Sequence, residues 1–298
     1  NSRANAKHVT RTISDIEALP VGCLIVSGGP SLYRERILER YRNNSQRFIG
    51  YVVATDSAYV QCLRHRIMPD FIVTLDPHPT RMVRWFGDPN LEVNLDGDDY
   101  FRRQDLDRAF RADPQRTNQQ SIDLVDRHRS PLIIASTAPA NVVERTAAHV
   151  RYWFAPLVDD PDQEGSLTRQ MVEATGLPAM NTGGTVGTAA WVFAHSILKS
   201  PNIAVVGMDF GYYYDTPLEE TQSWHMLGGD QAMYPSTVNP AGQRFFTDPT
   251  YAWYRANFLA LLWNNDATVT NCSGAGLLFD YSTECVIWRT LEEWLASC

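Results

Sequence analysis

The sequence has no apolar run long enough to cross a bilayer, no excess of basic charge and few cysteines. We therefore expect no membrane-spanning segment. The formal net charge is -8 and no basic stripe is visible, which argues against a nucleic-acid partner. The five cysteines form no closely spaced pairs. That spacing fits a reduced, cytoplasmic protein better than a disulfide scaffold or a zinc site.

Several familiar nucleotide and catalytic motifs are also missing. No Gly-Lys-Ser/Thr follows the glycines, so there is no Walker A loop, and the Gly-x-Gly-x-x-Gly dinucleotide fingerprint is absent. The serines lack the spacing of a nucleophile elbow. A nucleotide site in this chain must therefore be built in another way.

One stretch has the features of an anion site. The apolar run Cys23–Val26 predicts a buried strand, and Gly28 and Gly29 then interrupt it. Pro30 suits the first position of a helix, and Ser31 adds a hydroxyl there. Backbone N–H groups and the helix dipole at such a start favour a phosphate. We expect the two glycines to let that phosphate approach the backbone, although a plain tight turn is the alternative.

Apolar and charged stretches alternate along the rest of the chain. Strands are predicted at residues 23–26, 48–54, 71–75, 91–95, 131–135, 152–154, 202–206 and 267–270, and helices at 33–41, 58–65, 141–149, 251–263 and 283–296. A further helix is predicted to end near residue 198. This alternation predicts an α/β fold with a Rossmann-like, open, mostly parallel sheet flanked by helices.

The domain organisation follows from the stretches without clear periodicity. Residues 1–21 are a polar lead-in, and residues 22–298 form a single domain with lid-like insertions at about 96–130 and 211–248. The second insertion is rich in Tyr, Trp, Gly and Pro, and a connection of that length is usually functional. The first carries several arginines, which either face solvent or reach a phosphate or carboxylate when the lid closes. They are Arg102, Arg103, Arg108, Arg111 and Arg116.

Polar residues follow several predicted strands. They are Ser27 with Gly28, Asp56 with Ser57, Asp76, Asp209 and Asn271. Because the carboxyl ends of parallel strands line one crevice, we expect a nucleotide-sized ligand there. The aspartates are suited to accept ribose hydroxyls, to orient Mg²⁺ or to act as a base, whereas each taken alone is more often a helix cap.

Two further features join this group. The turn Asn181-Thr182-Gly183-Gly184-Thr185 leads into a helix and suits a ribose or a base edge. His225 lies among aromatic residues in the second insertion. Histidine is the side chain best suited to act as a base at neutral pH, although a solvated loop histidine is the plain alternative.

The motifs together resemble a known family. The residues that carry the resemblance are Ser27-Gly28-Gly29-Pro30-Ser31-Leu32, Ala54-Thr55-Asp56-Ser57-Ala58, Pro69 to Pro77, Asn181 to Gly187 and Val205-Val206-Gly207-Met208-Asp209-Phe210. The chain resembles, over about residues 22–280, the family of motility-associated factor (Maf) flagellin glycosyltransferases and MptE-like 6-hydroxymethylpterin pyrophosphokinases. The fold of that family is similar to that of bacterial CMP-sugar sialyltransferases.

The resemblance implies a Rossmann-like nucleotide-binding domain. It implies that Gly28, Gly29 and Ser31 meet the nucleotide phosphate and that Asn181 and Gly183 help to hold the nucleotide. His225 falls near the position of a family histidine, although the run from Asp209 to His225 is longer than usual. Where the sialyltransferases place a histidine before the next helix, this chain has Thr247-Asp248-Pro249.

Three functions remain open at this point. The first is transfer of a nonulosonic, sialic-acid-like sugar from a CMP-activated donor to a hydroxyl acceptor, which is a glycan, a protein or a small molecule. The second is transfer of diphosphate from ATP to a pterin alcohol, with Asp56 and Asp76 as ligands of a divalent metal. The third is a nucleotide-binding module without catalysis, because one scaffold hosts many functions.

Overall fold

The computed structural model describes residues 1–94, 114–282 and 284–298, and their strands form one nine-stranded and one three-stranded sheet. In chain order the strands are β1 Cys23–Val26, β2 Tyr51–Thr55, β3 Phe71–Thr74, β4 Leu132–Ala135, β5 Arg151–Leu157, β6 Ala179–Asn181, β7 Ile203–Val206, β8 Tyr212–Tyr213, β9 Ser236–Val238, β10 Arg244–Phe246, β11 Val269–Asn271 and β12 Val286–Trp288.

Helices connect most of these strands. The α-helices are α1 Ser2–Asn5, α2 Ser31–Arg34, α3 Ile37–Asn44, α4 Asp56–Arg64, α5 Leu91–Asn94, α6 Pro114–Arg127, α7 Ala140–Arg145, α8 Leu167–Thr175, α9 Val186–Val192, α10 Trp224–Leu227, α11 Pro249–Asn264 and α12 Leu291–Ser297. Short 3₁₀ helices lie at Ala6–His8, Ile13–Asp15, Met82–Phe86, Leu218–Glu220 and Gln231–Met233, and a π-helical turn lies at Phe193–Ile197.

The large sheet is parallel and doubly wound. Its order is β12-β11-β7-β1-β2-β3-β4-β5-β6, with parallel pairing throughout. The chain builds outward from β1 to β6 and then returns to place β7 on the other side of β1. The α/β, Rossmann-like sheet expected from the sequence is therefore confirmed. Such a reversal of strand order leaves a crevice at the carboxyl ends of the two central strands.

Helices cover both faces of this sheet. Strands β1, β4 and β7 are buried at every position, as parallel strands packed on two sides require. Because successive side chains point to opposite faces, Ile25 packs in one core cluster with Trp191 of α9, and Leu24 packs in another with Trp294 of α12.

The end of the chain differs from the prediction. Residues 283–296 were expected to form one helix, but the structure has β12 paired with β11, followed by α12. The Val-Ile-Trp run has high β propensity and gains backbone hydrogen bonds at the sheet edge. Thr290 and Glu293 then form a capping box that starts the helix.

Residues 91–94 also differ, because they form helix α5 where a strand was expected over 91–95. Asp88 begins this turn, since its side chain accepts a hydrogen bond from the Asn90 N–H at 2.8 Å. Residue 95 lies outside the described residues.

The lead-in and the insertions contain more packed structure than their polar sequences suggest. Ile13 joins the main core cluster, and Asn5 Nδ2 donates to the carbonyls of Ser136 and Ala138 at 2.8 Å. Helix α6, inside the expected 96–130 insertion, buries Val125 in the core.

The insertion at 211–248 contains strands β8, β10 and β9, which form the antiparallel three-stranded sheet. The arginines at 102, 103, 108 and 111 lie outside the described residues. Arg116 belongs to α6 and is exposed. Among the described helices, none combines the length and apolar character needed to traverse a bilayer.

Candidate active site

A cavity of about 430 Å³ opens at the carboxyl ends of the central strands. Residues that directly follow β1, β2, β3 and β7 line it, as does the start of α9. The residues that were expected to converge there and are found in its lining are Ser27, Gly28, Gly29, Pro30, Asp56, Ser57, Asp76, Gly184, Thr185 and Asp209. The cavity lies at the reversal of strand order between β1 and β7, where open α/β sheets bind ligands.

The carboxylate of Asp209 already occupies the start of α2. The Ser31 N–H donates to its Oδ2 at 2.7 Å, and the Ser31 hydroxyl donates to its Oδ1 at 2.6 Å. Both side chains are buried. Asp209 therefore supplies the negative charge that was expected to come from a bound phosphate at this helix start. Its position makes it a residue that holds the loop in place.

The two glycines of the loop are required by protein contacts. A Cβ at Gly28 would lie 2.5 Å from Ser57 Oγ, and a Cβ at Gly29 would lie 2.4 Å from the Gly207 carbonyl oxygen. The expected reason, close approach of a phosphate, is not needed to explain either glycine. These contacts fix the loop against the ends of β2 and β7.

Two polar groups of the loop remain open toward a ligand. Ser27 is 6% exposed and lines the cavity, and its Oγ has no hydrogen-bond partner among the described residues. A Cβ at Gly187 would lie 2.9 Å from that oxygen. The Gly29 N–H donates to Gly207 and the Ser31 N–H to Asp209, whereas the Gly28 N–H has no acceptor within the described parts of the chain. A buried hydroxyl without a partner is costly, so a ligand atom is expected to satisfy it.

Asp56 and Asp76 form the acidic wall of the cavity. Asp56 is buried, and its two oxygens accept from the Ser57 N–H at 2.7 Å and the Thr74 hydroxyl at 2.8 Å. Burial, with a smaller contribution from the neighbouring Asp76, raises the pKa of Asp56 to about 7. Asp76 is half-buried, and its Oδ1 accepts from the His78 N–H at 2.8 Å. Its Oδ2 receives no hydrogen bond from the described residues.

The second glycine turn reaches the cavity only at its end. Asn181 Oδ1 accepts from the Gly183 N–H at 2.9 Å, and Gly183 and Gly184 have φ values of 56° and 91°. Thr185 caps α9 by accepting from the Thr188 N–H at 3.0 Å. The lining includes Gly184 and Thr185, whereas the turn residues Asn181, Thr182 and Gly183 are not part of it.

Three other expected site residues also lie outside the lining: Ser31, which bonds to Asp209, Asn271 and His225. Asn271 is fully buried, where its Nδ2 donates to the Leu278 carbonyl at 3.0 Å and its Oδ1 accepts from the Ser273 N–H at 2.9 Å. These bonds give Asn271 a structural role in the turn after β11. His225 is exposed on the four-residue helix α10.

The aromatic wall of the cavity was not among the expected site residues. Tyr251 and Tyr254 from the first turns of α11 face it together with Trp85, Phe210 and Tyr212. The only sequence signal was a pair of tyrosines three residues apart at a helix start, and such spacing is equally typical of a buried face. Flat apolar rings and carboxylates in the lining of one cavity suit a ligand with both a ring and polar groups.

A divalent metal would need ligands from its substrate. No cluster of three or more His, Cys, Asp and Glu side chains suited to a metal occurs in the described ranges. Asp76 offers an open oxygen and Asp56 lies beside it. Mg²⁺ is commonly held by one or two carboxylates together with substrate phosphates. The pair therefore fits Mg²⁺ only as part of a metal–nucleotide complex.

The comparisons with known proteins support the fold. No protein-family model matches the sequence, and a search of curated proteins finds no match. A search of solved structures finds the Maf glycosyltransferase from Magnetospirillum magneticum AMB-1, with a TM-score of 0.59 and 13% sequence identity. The match covers 99% of this chain and 40% of that one, so the chain spans less than half of the solved protein. This chain therefore has a Maf-like fold.

Proposed function

We propose that this chain is a glycosyltransferase that takes a nonulosonic sugar from a CMP-activated donor. The observation that carries the proposal is the unpartnered Ser27 hydroxyl in a cavity at the sheet reversal, within a Maf-like fold. The cavity volume of about 430 Å³ lies in the range of small-molecule sites. Diphosphate transfer from ATP is the second candidate, favoured by the presence of Asp56 and Asp76 in one wall.

The phosphate of the donor would bind at the end of β1. There the Ser27 hydroxyl and the Gly28 N–H supply hydrogen bonds, and Asp209 holds the loop in shape through Ser31. Ribose hydroxyls would contact the wall formed by Asp56 and Ser57. We also propose a cytoplasmic location, since Cys23 and other buried cysteines are thiols outside any disulfide, as is usual in a reducing compartment.

We assign the base to Asp76. Its Oδ2 takes the proton from the acceptor hydroxyl, the acceptor oxygen forms the new bond to the sugar, and the bond from sugar to phosphate breaks. CMP leaves with the electron pair of that bond. Asp209 is engaged by Ser31, and His225 lies outside the cavity lining, so neither has the position of Asp76.

The first test is calorimetry of nucleotide binding. We expect CMP to bind more tightly than ATP with Mg²⁺. Ser27→Ala should weaken CMP binding about tenfold, because it removes one hydrogen bond to a charged group. Ser200→Ala is the matched control, since Ser200 is also a buried serine but precedes the amino end of β7, whereas the cavity lies at the carboxyl ends of the strands. Tighter binding of ATP with Mg²⁺ would favour diphosphate transfer, and equal CMP affinities of the two serine variants would contradict the phosphate assignment.

The second measurement is turnover, followed as CMP released from CMP-N-acetylneuraminic acid. We expect Asp76→Asn to lower the rate about a hundredfold while CMP affinity stays within threefold of the parent protein, as for loss of a general base. His225→Ala should retain the parent rate. A large loss in His225→Ala with a normal Asp76→Asn rate would return the base to His225.

A further inference from the structure

A row of aromatic rings runs from the buried wall of the cavity to its rim. Tyr212 and Tyr251 have ring centroids 5.3 Å apart, Tyr251 and Tyr254 are 6.3 Å apart, and Tyr254 and Trp253 are 5.4 Å apart. Tyr212 is 2% exposed, and Trp253, at the other end, is 57% exposed. The three tyrosines line the cavity.

Trp253 lies beside the mouth of the cavity. A Cβ at Gly184 would lie 3.1 Å from Trp253 Cζ3 and 3.2 Å from Tyr254 Cδ1. Gly184 itself lines the cavity. The indole therefore packs against a wall residue while more than half of the side chain stays accessible to solvent. An exposed aromatic surface that continues into a cavity is typical of a ligand contact.

Tyr254 and the proposed base, Asp76, line the same cavity. Asp76 acts electrostatically on Tyr254 and, after burial, is the next cause of the raised pKa of its hydroxyl. A ring stacked on Trp253 and Tyr254 would therefore hold a hydroxyl group near Asp76. The carboxylates that line the same cavity and the net charge of -8 disfavour an anionic acceptor. A neutral ring with one apolar face fits both conditions.

We propose that Trp253 and Tyr254 form an acceptor subsite that stacks the apolar face of a neutral pyranose ring. This inference rests on the proposed glycosyltransferase function and names the chemical class of its acceptor. The subsite predicts that the acceptor is a glycan.

The experiment separates acceptor binding from donor binding. Saturation-transfer NMR on the purified chain with CMP present would use methyl β-D-galactopyranoside, methyl β-D-glucopyranoside and methyl α-D-mannopyranoside as probes. Trp253→Ala should lower the saturation-transfer signal of a bound sugar at least fivefold, and Trp253→Phe should keep about half of that signal. Trp263→Ala is the matched control, because Trp263 is 64% exposed on the same helix, ten residues further along.

Each outcome has a distinct meaning. Donor binding is read separately, from CMP calorimetry of the same variants, and should be unchanged in all of them. Absence of CMP binding in the parent protein would contradict the proposed function. Normal CMP binding without saturation of any of the three sugars would overturn the subsite, as would an equal loss in Trp253→Ala and Trp263→Ala. The glycan assignment would be overturned if no sugar bound and a serine- and threonine-containing peptide instead gave a saturation-transfer signal that was lost in Trp253→Ala.

Discussion

At the scale of single residues, Asp56 is a carboxyl group placed where charge is costly. It is buried at the first position of α4, and only Thr74 and the Ser57 N–H offset its desolvation. Its pKa rises from an ordinary value of 3.8 to about 7. A proton therefore binds more tightly to the folded chain than to the unfolded chain between these two values. The free energy of unfolding should fall as pH rises through that window and level off above it.

We predict that Asp56→Asn removes this pH dependence, because the amide is neutral in both states. The unfolding free energy of the variant minus that of the parent chain should therefore increase by on the order of 2–4 kcal/mol from pH 4.5 to pH 8. Urea unfolding at the two pH values measures the gain. Asp159→Asn is the control, since hydrogen bonds from Thr168 and Ser166 lower the pKa of Asp159 and the carboxyl stays ionised throughout this range. Parallel pH profiles for the parent chain and Asp56→Asn would contradict the prediction.

The sequence indicated which residues would meet at the site better than it indicated what they do there. Asp56, Asp76 and Asp209 follow strands, and parallel strands end at one edge, so their convergence was predictable. The pairing of Asp209 with Ser31 was not, because these residues are far apart in the chain and either was suited to a ligand. Asn271 was expected in the site for the same reason as the aspartates, but its side-chain amide forms hydrogen bonds with nearby backbone groups instead.

At the scale of elements, α2 joins the phosphate loop to the second insertion. The Arg34 guanidinium lies 4.4 Å from the centroid of the Tyr213 ring and donates to Asp215 at 2.6 Å. The Tyr213 hydroxyl donates to Glu35 at 2.7 Å. Strand β8 is thereby held against the helix that directly follows the loop. The insertion and the loop are expected to move together.

We predict that Arg34→Ala loosens β8 without unfolding the sheet. Loss of the ring contact and the ion pair should speed hydrogen exchange at residues 212–216 about tenfold, while exchange in β1 stays slow. Exchange followed by mass spectrometry measures this. Arg11→Ala is the control, because Arg11 also lies over a tyrosine ring, that of Tyr152, but Tyr152 belongs to β5, four strands away from β1. Unchanged exchange at residues 212–216 would show that Arg34 does not anchor the strand.

The length of an element decided whether the sequence revealed it. Strands β1, β4 and β7 are continuous apolar runs buried on both faces, and their patterns are unambiguous. Strands β8, β9 and β10 have only two or three residues each, too few for a period to be seen. Strands β8 and β10 pair across more than thirty residues of chain, as with Phe246 opposite Tyr212, whereas β9 lies close to β10 in the sequence. Residues 211–248 therefore read as a loop in the sequence.

At the scale of the whole molecule, the net charge of the chain and the charged side chains of the cavity lining are both negative. The formal net charge is -8, and the described residues that line the cavity include Asp56, Asp76 and Asp209 but no Lys, Arg or His. A nucleotide phosphate would enter a negative field and be held by hydrogen bonds from Ser27 and Gly28. Most phosphate sites use cations, and their affinity falls as salt rises.

We predict the opposite salt dependence for CMP in this chain. Raising NaCl from 20 to 150 mM shortens the Debye length and screens the repulsion, so the affinity for CMP should rise roughly two- to fivefold. Calorimetry at the two salt concentrations measures this, with uncharged cytidine as the control ligand, whose affinity should not change. A CMP affinity that falls with salt would mean that a cationic side chain other than the described lining residues reaches the phosphate. The arginines at 102, 103, 108 and 111 would then be the first to replace with alanine, and the replacement that abolishes the fall would identify the cation.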